Sequence, residues 1–193
     1  MSLRGSKTAI NLMKSFAGEC QARTRYTYYS KVAEQAGFIE IAQIFTEVAS
    51  QEEAHSRVYY NFLKDEYADE AIDIEAAYPV SLHDDTLKNL MAAAAAEHLE
   101  WTNDYPGFAK IAREEGFQEI AIAFESIGKV EEWHEKTFNK LSSTIEEGTV
   151  FNKSDNVLWK CNNCGYIYEG KVAPKKCPAC SYPQGYFSVY VGE

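Results

Sequence analysis

The sequence predicts an all-α four-helix bundle built from a duplicated helix hairpin, followed by a small C-terminal metal-bound domain of strands and loops. Three observations carry this. Apolar residues recur at helical spacing up to about residue 145, punctuated by glycines. Residues 26–55 align without gaps on 105–134, with twelve of thirty positions identical. From Thr149 onward the helical period stops, and Cys, Gly, Pro and Tyr dominate.

The elements follow in order. A first helix is expected from about Ser6 to Glu34, with Gly37 closing it, and a second from about Phe38 to Lys64. The acidic connector "DEYADEAIDIEAAYPV" leads to Ser81, a candidate N-cap for a third helix reaching Glu115, with Asp84 and Asp85 in its first turn. A fourth helix runs from Phe117 to about Ile145. Short connections between the first and second helices, and between the third and fourth, make them antiparallel neighbours. The bundle occupies 1–147, a polar linker 148–156, and the small domain 157–193. A domain that short needs a staple such as a metal.

Composition excludes several classes of function. The net charge of −10 disfavours nucleic acid and anionic membrane as partners. No apolar run approaches the ~18 residues of a membrane span. The N-terminus has no apolar core of a secretory signal. Four of the five cysteines fall in two C-x-x-C pairs, which in a chain without a signal points to metal before disulfides.

The repeat places Glu52, Glu53 and His55 on Glu131, Glu132 and His134. Helix neighbours lie three, four and seven residues away. Around Glu52 these include Phe45, Val48, Ala49, His55 and Tyr59; around Glu131, Phe124, Ile127, His134 and Phe138. Glu53 and Glu132 sit on polar faces instead. Glu52 and Glu131 therefore point inward beside their histidines. Glu19 and Glu97 have comparable surroundings on the other two helices. Buried carboxylates without partners would neutralise, so four in one core imply cations. A Glu from each of two helices plus Glu-x-x-His from each of two others is the dimetal pattern of ferritin-like bundles, and this donor set suits iron or manganese. Upstream of the repeat, Glu19 precedes Tyr26 by seven residues, whereas Glu97 precedes Tyr105 by eight. One extra residue inside a helix is what a π-bulge absorbs. It is expected to turn Glu100, which has no counterpart in the first repeat, where Ala22 lies three after Glu19, into the core as a further ligand.

Cys161, Cys164, Cys177 and Cys180 form C-x2-C-x12-C-x2-C. Four thiolates on two tight turns give a tetrahedral sulfur site for zinc or iron. From spacing alone a zinc ribbon is a rival, and two disulfides are a further alternative. "CGYIYEG", "CPAC" and Phe187 resemble rubredoxin, a one-iron electron carrier, whose aromatics cluster beneath the metal. Trp159, Tyr166, Tyr168 and Phe187 are expected to do so here. Ser181 departs from the glycine that usually follows the last cysteine, and is expected to offer its N–H to sulfur.

Over nearly its full length the chain resembles the rubrerythrins, through "GECQAR", "EEAH", "AEHLE", "DYPGFAKIA", "EEWHEK" and the rubredoxin-like tail in that order. The resemblance implies a cytoplasmic non-haem di-iron peroxidase acting on hydrogen peroxide, assembled as a head-to-tail homodimer. It implies Glu19, Glu52, His55, Glu97, Glu100, Glu131 and His134 at the di-iron site, Tyr26 and Tyr105 just behind these ligands, and one iron on the four paired cysteines. No G-x-G-x-x-G follows a strand, so reducing equivalents would come from an external donor, a rubredoxin or an NAD(P)H-linked reductase. A ferroxidase or iron-handling protein and a non-catalytic metal sensor are the alternatives. Cys20, His83 and His98 read as packing or surface residues, the tyrosines of "RYTYY" as packing, and Ala92–Ala96 as a run permitting close helix approach.

Overall fold

The computed structural model describes residues 2–192. Helix α1 (Lys7–Gln35) begins where Ser6 accepts a hydrogen bond from the Ala9 N–H at 3.0 Å. It ends at Gly37, whose φ of +80° lets Phe38 N–H return to the Ala33 carbonyl at 2.8 Å. Helix α2 (Ile39–Tyr67) then runs back antiparallel. The second hairpin repeats this turn, with Gly116 at φ +85° and Phe117 N–H donating to the Ala112 carbonyl at 2.8 Å. A side chain at either glycine would meet the left-handed penalty.

The second hairpin opens differently. Helix α3 (Thr86–Leu99) is capped by Asp85, not Ser81: the Asp85 carboxylate accepts from Lys88 N–H at 2.9 Å. Ser81 is engaged elsewhere, its carbonyl accepting from the Tyr29 hydroxyl at 2.6 Å, so the connector stays extended for four more residues. After α3 comes a five-residue π-helix, Glu100–Asp104, then α4 (Tyr105–Glu114) and α5 (Gln118–Glu146). The extra residue between Glu97 and Tyr105 is thus absorbed as a π segment within one continuous rod.

Two apolar clusters close the bundle above and below its middle. One joins Tyr26, Tyr29, Phe45, Leu90 and Phe138. The other joins Leu12, Tyr59, Tyr105, Ile120 and Phe124. Each fully buried aromatic contributes about 1.5–3 kcal/mol of burial energy, and the layer left between the clusters holds the acidic side chains.

The tail is a three-stranded antiparallel sheet of order β2-β1-β3, with β1 Asn152–Cys161, β2 Ile167–Val172 and β3 Phe187–Val189. Strand β1 starts inside the segment expected as linker, so only 147–151 lacks regular structure between α5 and the sheet. Phe151 there stacks on Phe38 at 6.1 Å between ring centroids, and a Cβ on Gly185 would collide with the Gly37 carbonyl. The tail therefore rests on the α1–α2 turn of its own chain.

Only part of the expected aromatic cluster lies under the cysteines. Trp159 and Phe187 are buried, and the Trp159 indole donates to the Gly170 carbonyl at 2.9 Å. Tyr166, just before β2, and Tyr168 within it are exposed and stand outside the buried cluster of Trp159, Cys161, Cys177 and Phe187. Ser181 adopts φ +64°, the conformation glycine favours, and its N–H donates to the Cys177 carbonyl at 2.9 Å rather than to sulfur.

A buried carboxylate–imidazole cluster and a four-cysteine site

Helical periodicity sorts the paired glutamates. Glu52 and Glu131 are buried, 1% and 0% exposed. Their neighbours point outward: Glu53 pairs with Arg23 at 3.1 Å and Glu132 with Lys136 at 2.6 Å. Glu19 and Glu97 are buried as well.

The donor atoms form two overlapping groups: Glu19, Glu52, His55 and Glu131, and Glu52, Glu97, Glu131 and His134. Within each group they lie within 4.8 Å of one another, and Glu52 and Glu131 belong to both. His55 Nδ1 lies 3.0 Å from both Glu52 and Glu131 and 3.8 Å from Glu19. His134 Nδ1 lies 2.7 Å from Glu131, 3.2 Å from Glu52 and 3.8 Å from Glu97. Glu100 belongs to neither group, although it borders the same core.

The tyrosines cross between repeats. The Tyr26 hydroxyl donates to Glu97, and the Tyr105 hydroxyl to Glu19. Each tyrosine of one hairpin thereby orients a carboxylate of the other. His134 has an additional support: its Nε2–H donates to Gln51 Oε1 at 2.8 Å, which leaves Nδ1 facing the carboxylates. The repeat mate of Gln51 is Val130, which offers His55 no such bond.

Charge is poorly balanced here without a cation. Burial, then the charge of Glu52, pushes Glu97 up to about 8. Burial, then the charge of Glu52, raises Glu19, and burial, then Glu19, raises Glu100, both well above the carboxylate range. Burial would raise Glu52, but His134 and His55 hold it at about 2. Burial would lower His134, yet Glu131, Glu52 and Glu97 carry it to about 12. The two imidazolium groups thus stand where metal cations would. They do so imperfectly. Glu19 Oε2, Glu52 Oε1, Glu97 Oε2, both Glu131 oxygens and His134 Nδ1 are buried without a well-aligned hydrogen bond, close as several of them lie to an imidazole nitrogen. Orphaned acceptors converging on shared points fit cations and do not fit a hydrogen-bonded core.

In the tail, the Cys161–Cys180 and Cys164–Cys177 sulfur pairs are each 3.7 Å apart, and all four sulfurs lie within 4.8 Å. That matches the edge of ~3.8 Å for a tetrahedron of metal–sulfur bonds near ~2.3 Å and lies far beyond a disulfide bond of ~2.05 Å. The Tyr182 N–H, the largest influence, helps bring Cys180 down to about 6. The Tyr166 N–H also favours the Cys164 thiolate, but the neighbouring cysteines push it up to about 12. Four thiolates this close require a cation.

Bundle and tail together define a ferritin-like di-iron carboxylate protein that carries its own Fe(Cys)4 centre. Residues 11–142 match the rubrerythrin family profile, and 159–188 match the rubredoxin-like domain of rubrerythrin. The chain belongs to the rubrerythrin family. It is 58% identical to rubrerythrin of Clostridium perfringens, over 98% of this chain and 97% of that one. It is 47% identical to rubrerythrin of Nitratidesulfovibrio vulgaris, over 97% and 96%. The fully reduced, all-ferrous structure of nigerythrin superposes with a TM-score of 0.65 at 27% identity, over 98% of this chain and 92% of that one. Bacterioferritin from Rhodobacter capsulatus shares the bundle fold, with a TM-score of 0.67 at 18% identity, over 76% and 89%. Among the described residues no helix is long and apolar enough to cross a membrane.

Several features were not read from the sequence. Gln51 is one; a polar residue one position before an inward glutamate, matched by Val130 in the other repeat, was the available signal. Glu135 is another: it accepts from Trp101 Nε1 at 2.5 Å and lies 3.1 Å from His98 Nδ1, tying α5 to the π segment.

Glu52→Ala and Glu131→Ala are expected to lose most bundle iron, whereas Glu53→Ala and Glu132→Ala retain it; metal analysis per chain checks this, and iron loss in the latter pair would refute the facial assignment. The metal-free protein should lose stability on alkalinisation. Glu97 binds its proton more tightly folded, at about 8, than its ordinary 4.5, so the stability it lends below 4.5 disappears as pH rises through 8. His134, raised from 6.5 to about 12, acts in the same direction over a higher interval. Glu52, lowered from 4.5 to about 2, opposes them only in acid. Calorimetric melts of metal-free protein should therefore fall from about pH 5 to about pH 9, while iron-loaded protein, whose ligands must be deprotonated, should not. Parallel curves would contradict this.

Proposed function

We propose that this chain is a non-haem di-iron peroxidase that reduces hydrogen peroxide to water, with electrons delivered through its own Fe(Cys)4 centre. The observation that carries this is the pairing, in one chain, of a buried six-residue carboxylate–imidazole cluster with a four-sulfur site. When bound, the two bundle irons supply the two electrons that cleave the O–O bond, and the sulfur-bound iron restores them singly.

The residues then have distinct work. Glu52 and Glu131, which belong to both donor groups, would be shared between the two metals. Glu97 and His134 would complete one group; Glu19 and His55 would complete the other. Glu100, at the start of the π segment, would serve as an alternative ligand to His55 in the oxidised state. Tyr26 and Tyr105 keep their protons, since burial, then Glu97 for Tyr26 and Glu100 for Tyr105, raises both well above the ordinary value. Their hydroxyls hold Glu97 and Glu19 in place throughout. Cys161, Cys164, Cys177 and Cys180 hold the relay iron. The ultimate reductant is an external donor, a rubredoxin or an NAD(P)H-linked reductase.

Ferroxidase activity uses the same bundle, but it gives the tail no role. Stopped-flow mixing separates the two. Reduced protein should be oxidised at least tenfold faster by peroxide than by oxygen; the reverse order would establish the ferroxidase. Cys161→Ser/Cys164→Ser protein should lose the visible Fe(Cys)4 spectrum and still consume one equivalent of peroxide, yet fail to turn over. Sustained turnover would remove the tail from the path.

The tail is further proposed to serve the di-iron site of a second copy in a head-to-tail homodimer. It rests on Phe38, fourteen residues before Glu52 on α2, so it sits roughly 20 Å along the helix from its own cluster. Mixing a tail-dead chain with a Glu52→Ala/Glu131→Ala chain should restore peroxidase turnover in the mixed dimer. No recovery in a confirmed mixed dimer would establish transfer within one chain.

A further inference from the structure

The edge of the second hairpin carries a hydrogen-bonded cluster that the proposed chemistry does not use. The Glu135 carboxylate, on α5, accepts through one oxygen from the Trp101 indole Nε1–H at 2.5 Å. The same oxygen lies 3.1 Å from His98 Nδ1. The His98 and Trp101 rings meet edge to face, 5.5 Å between centroids. Asn139 Nδ2, one turn on, approaches the other Glu135 oxygen at 3.4 Å. Each of the three central residues follows a proposed ligand in the chain: His98 follows Glu97, Trp101 follows Glu100, and Glu135 follows His134. One step along a helix turns a side chain by ~100°, so the cluster stands beside the carboxylate layer and outside it.

Trp101 lies inside the π segment, and that segment needs holding. A π turn is rare, because it gives up regular α geometry to absorb one surplus residue. Here it lies close on α5: a Cβ on Gly128 would be 3.6 Å from Tyr105 Cβ and 4.0 Å from Trp101 Cα. Glu135 grips the same stretch two turns further along α5 and also meets His98 in the last turn of α3. Hydrogen bonds to a carboxylate are among the stronger kinds. The first repeat has neither feature. Its helix α1 is regular from Glu19 to Tyr26. Ser56, which stands where Glu135 does, donates to the Glu53 carbonyl of its own helix at 2.8 Å. The clamp thus accompanies the π segment and is not a general fastening of the bundle.

We infer that Glu135 is a positioning residue for Glu100. By holding Trp101, the next residue, it fixes the register of the π segment and so the direction in which Glu100 is presented to the metals. Glu100 begins the segment and belongs to neither donor group, so its reach depends on that register. Glu135 itself acts only through Trp101 and His98. The inference rests on the reading of Glu100 as a metal ligand and is the same whether peroxide or oxygen is the oxidant.

Two measurements on the oxidised, iron-loaded protein test this: backbone amide exchange, and Mössbauer spectra, which separate the bundle irons from the sulfur-bound iron. Glu135→Ala and Trp101→Phe should speed exchange at residues 100–105 by about tenfold and leave 118–127 of α5 unchanged. Both should keep the parent's iron content and shift the quadrupole splitting of the bundle irons toward that of Glu100→Ala. Glu135→Gln, whose amide oxygen still accepts from Trp101, should match the parent in both measurements. If Glu100→Ala shifts the splitting while Glu135→Ala and Trp101→Phe match the parent, the proposal is overturned and the ligand reading stands. If Glu100→Ala itself matches the parent, the ligand reading falls and the proposal with it. Exchange that rises throughout α3 and α5 with the splitting unmoved, or a Glu135→Gln no better than Glu135→Ala, would make the cluster ordinary packing and would also overturn the proposal.

Discussion

The rest of the bundle is arranged around one electrostatic constraint: four carboxylates are buried in the layer between its two apolar clusters. Isolated, each would be expelled or neutralised. Two imidazoles on the same helices supply part of the compensation, and the unpartnered oxygens show how much is left for metal. Folding and metal loading are therefore coupled in this molecule: the same atoms that destabilise the empty bundle bind the ions that stabilise it.

Duplication explains how so demanding a layer is built from few elements. Each hairpin contributes a Glu-x-x-His, a lone glutamate and a tyrosine. The tyrosine of each reaches the glutamate of the other. Neither hairpin alone could complete its own hydrogen bonds, so the carboxylate layer also ties the two halves together. The π segment is the point where the copies part. It adds one residue to a ligand helix without ending it, and Glu135 holds the altered stretch against α5.

Much of this was legible in the sequence because periodicity is a local property. The three-and-four rule separated Glu52 from Glu53, and counting residues between Glu97 and Tyr105 located the π segment. What was not legible depended on which side of an element another element covers. Asp85 rather than Ser81 caps α3 because Tyr29, fifty-two residues away, claims Ser81. Tyr166 and Tyr168 lie outside because no other element covers their side of the small sheet. The alanine run reads as close packing in one dimension, but only Ala93 and Ala94 of its five residues are buried in the bundle. The burial of Arg25 gave no signal at all, since an arginine in an amphipathic helix is ordinarily at the surface.

Two gene-duplicated halves would be expected to grip their metals alike, and here one glutamine prevents it. Gln51 tethers the His134 ring through its far nitrogen, and the corresponding Val130 leaves His55 held only from the metal side. One histidine is held from two sides and the other from one. A single difference between paralogous positions thus makes an almost symmetric cavity unequal in how firmly its two imidazoles are fixed.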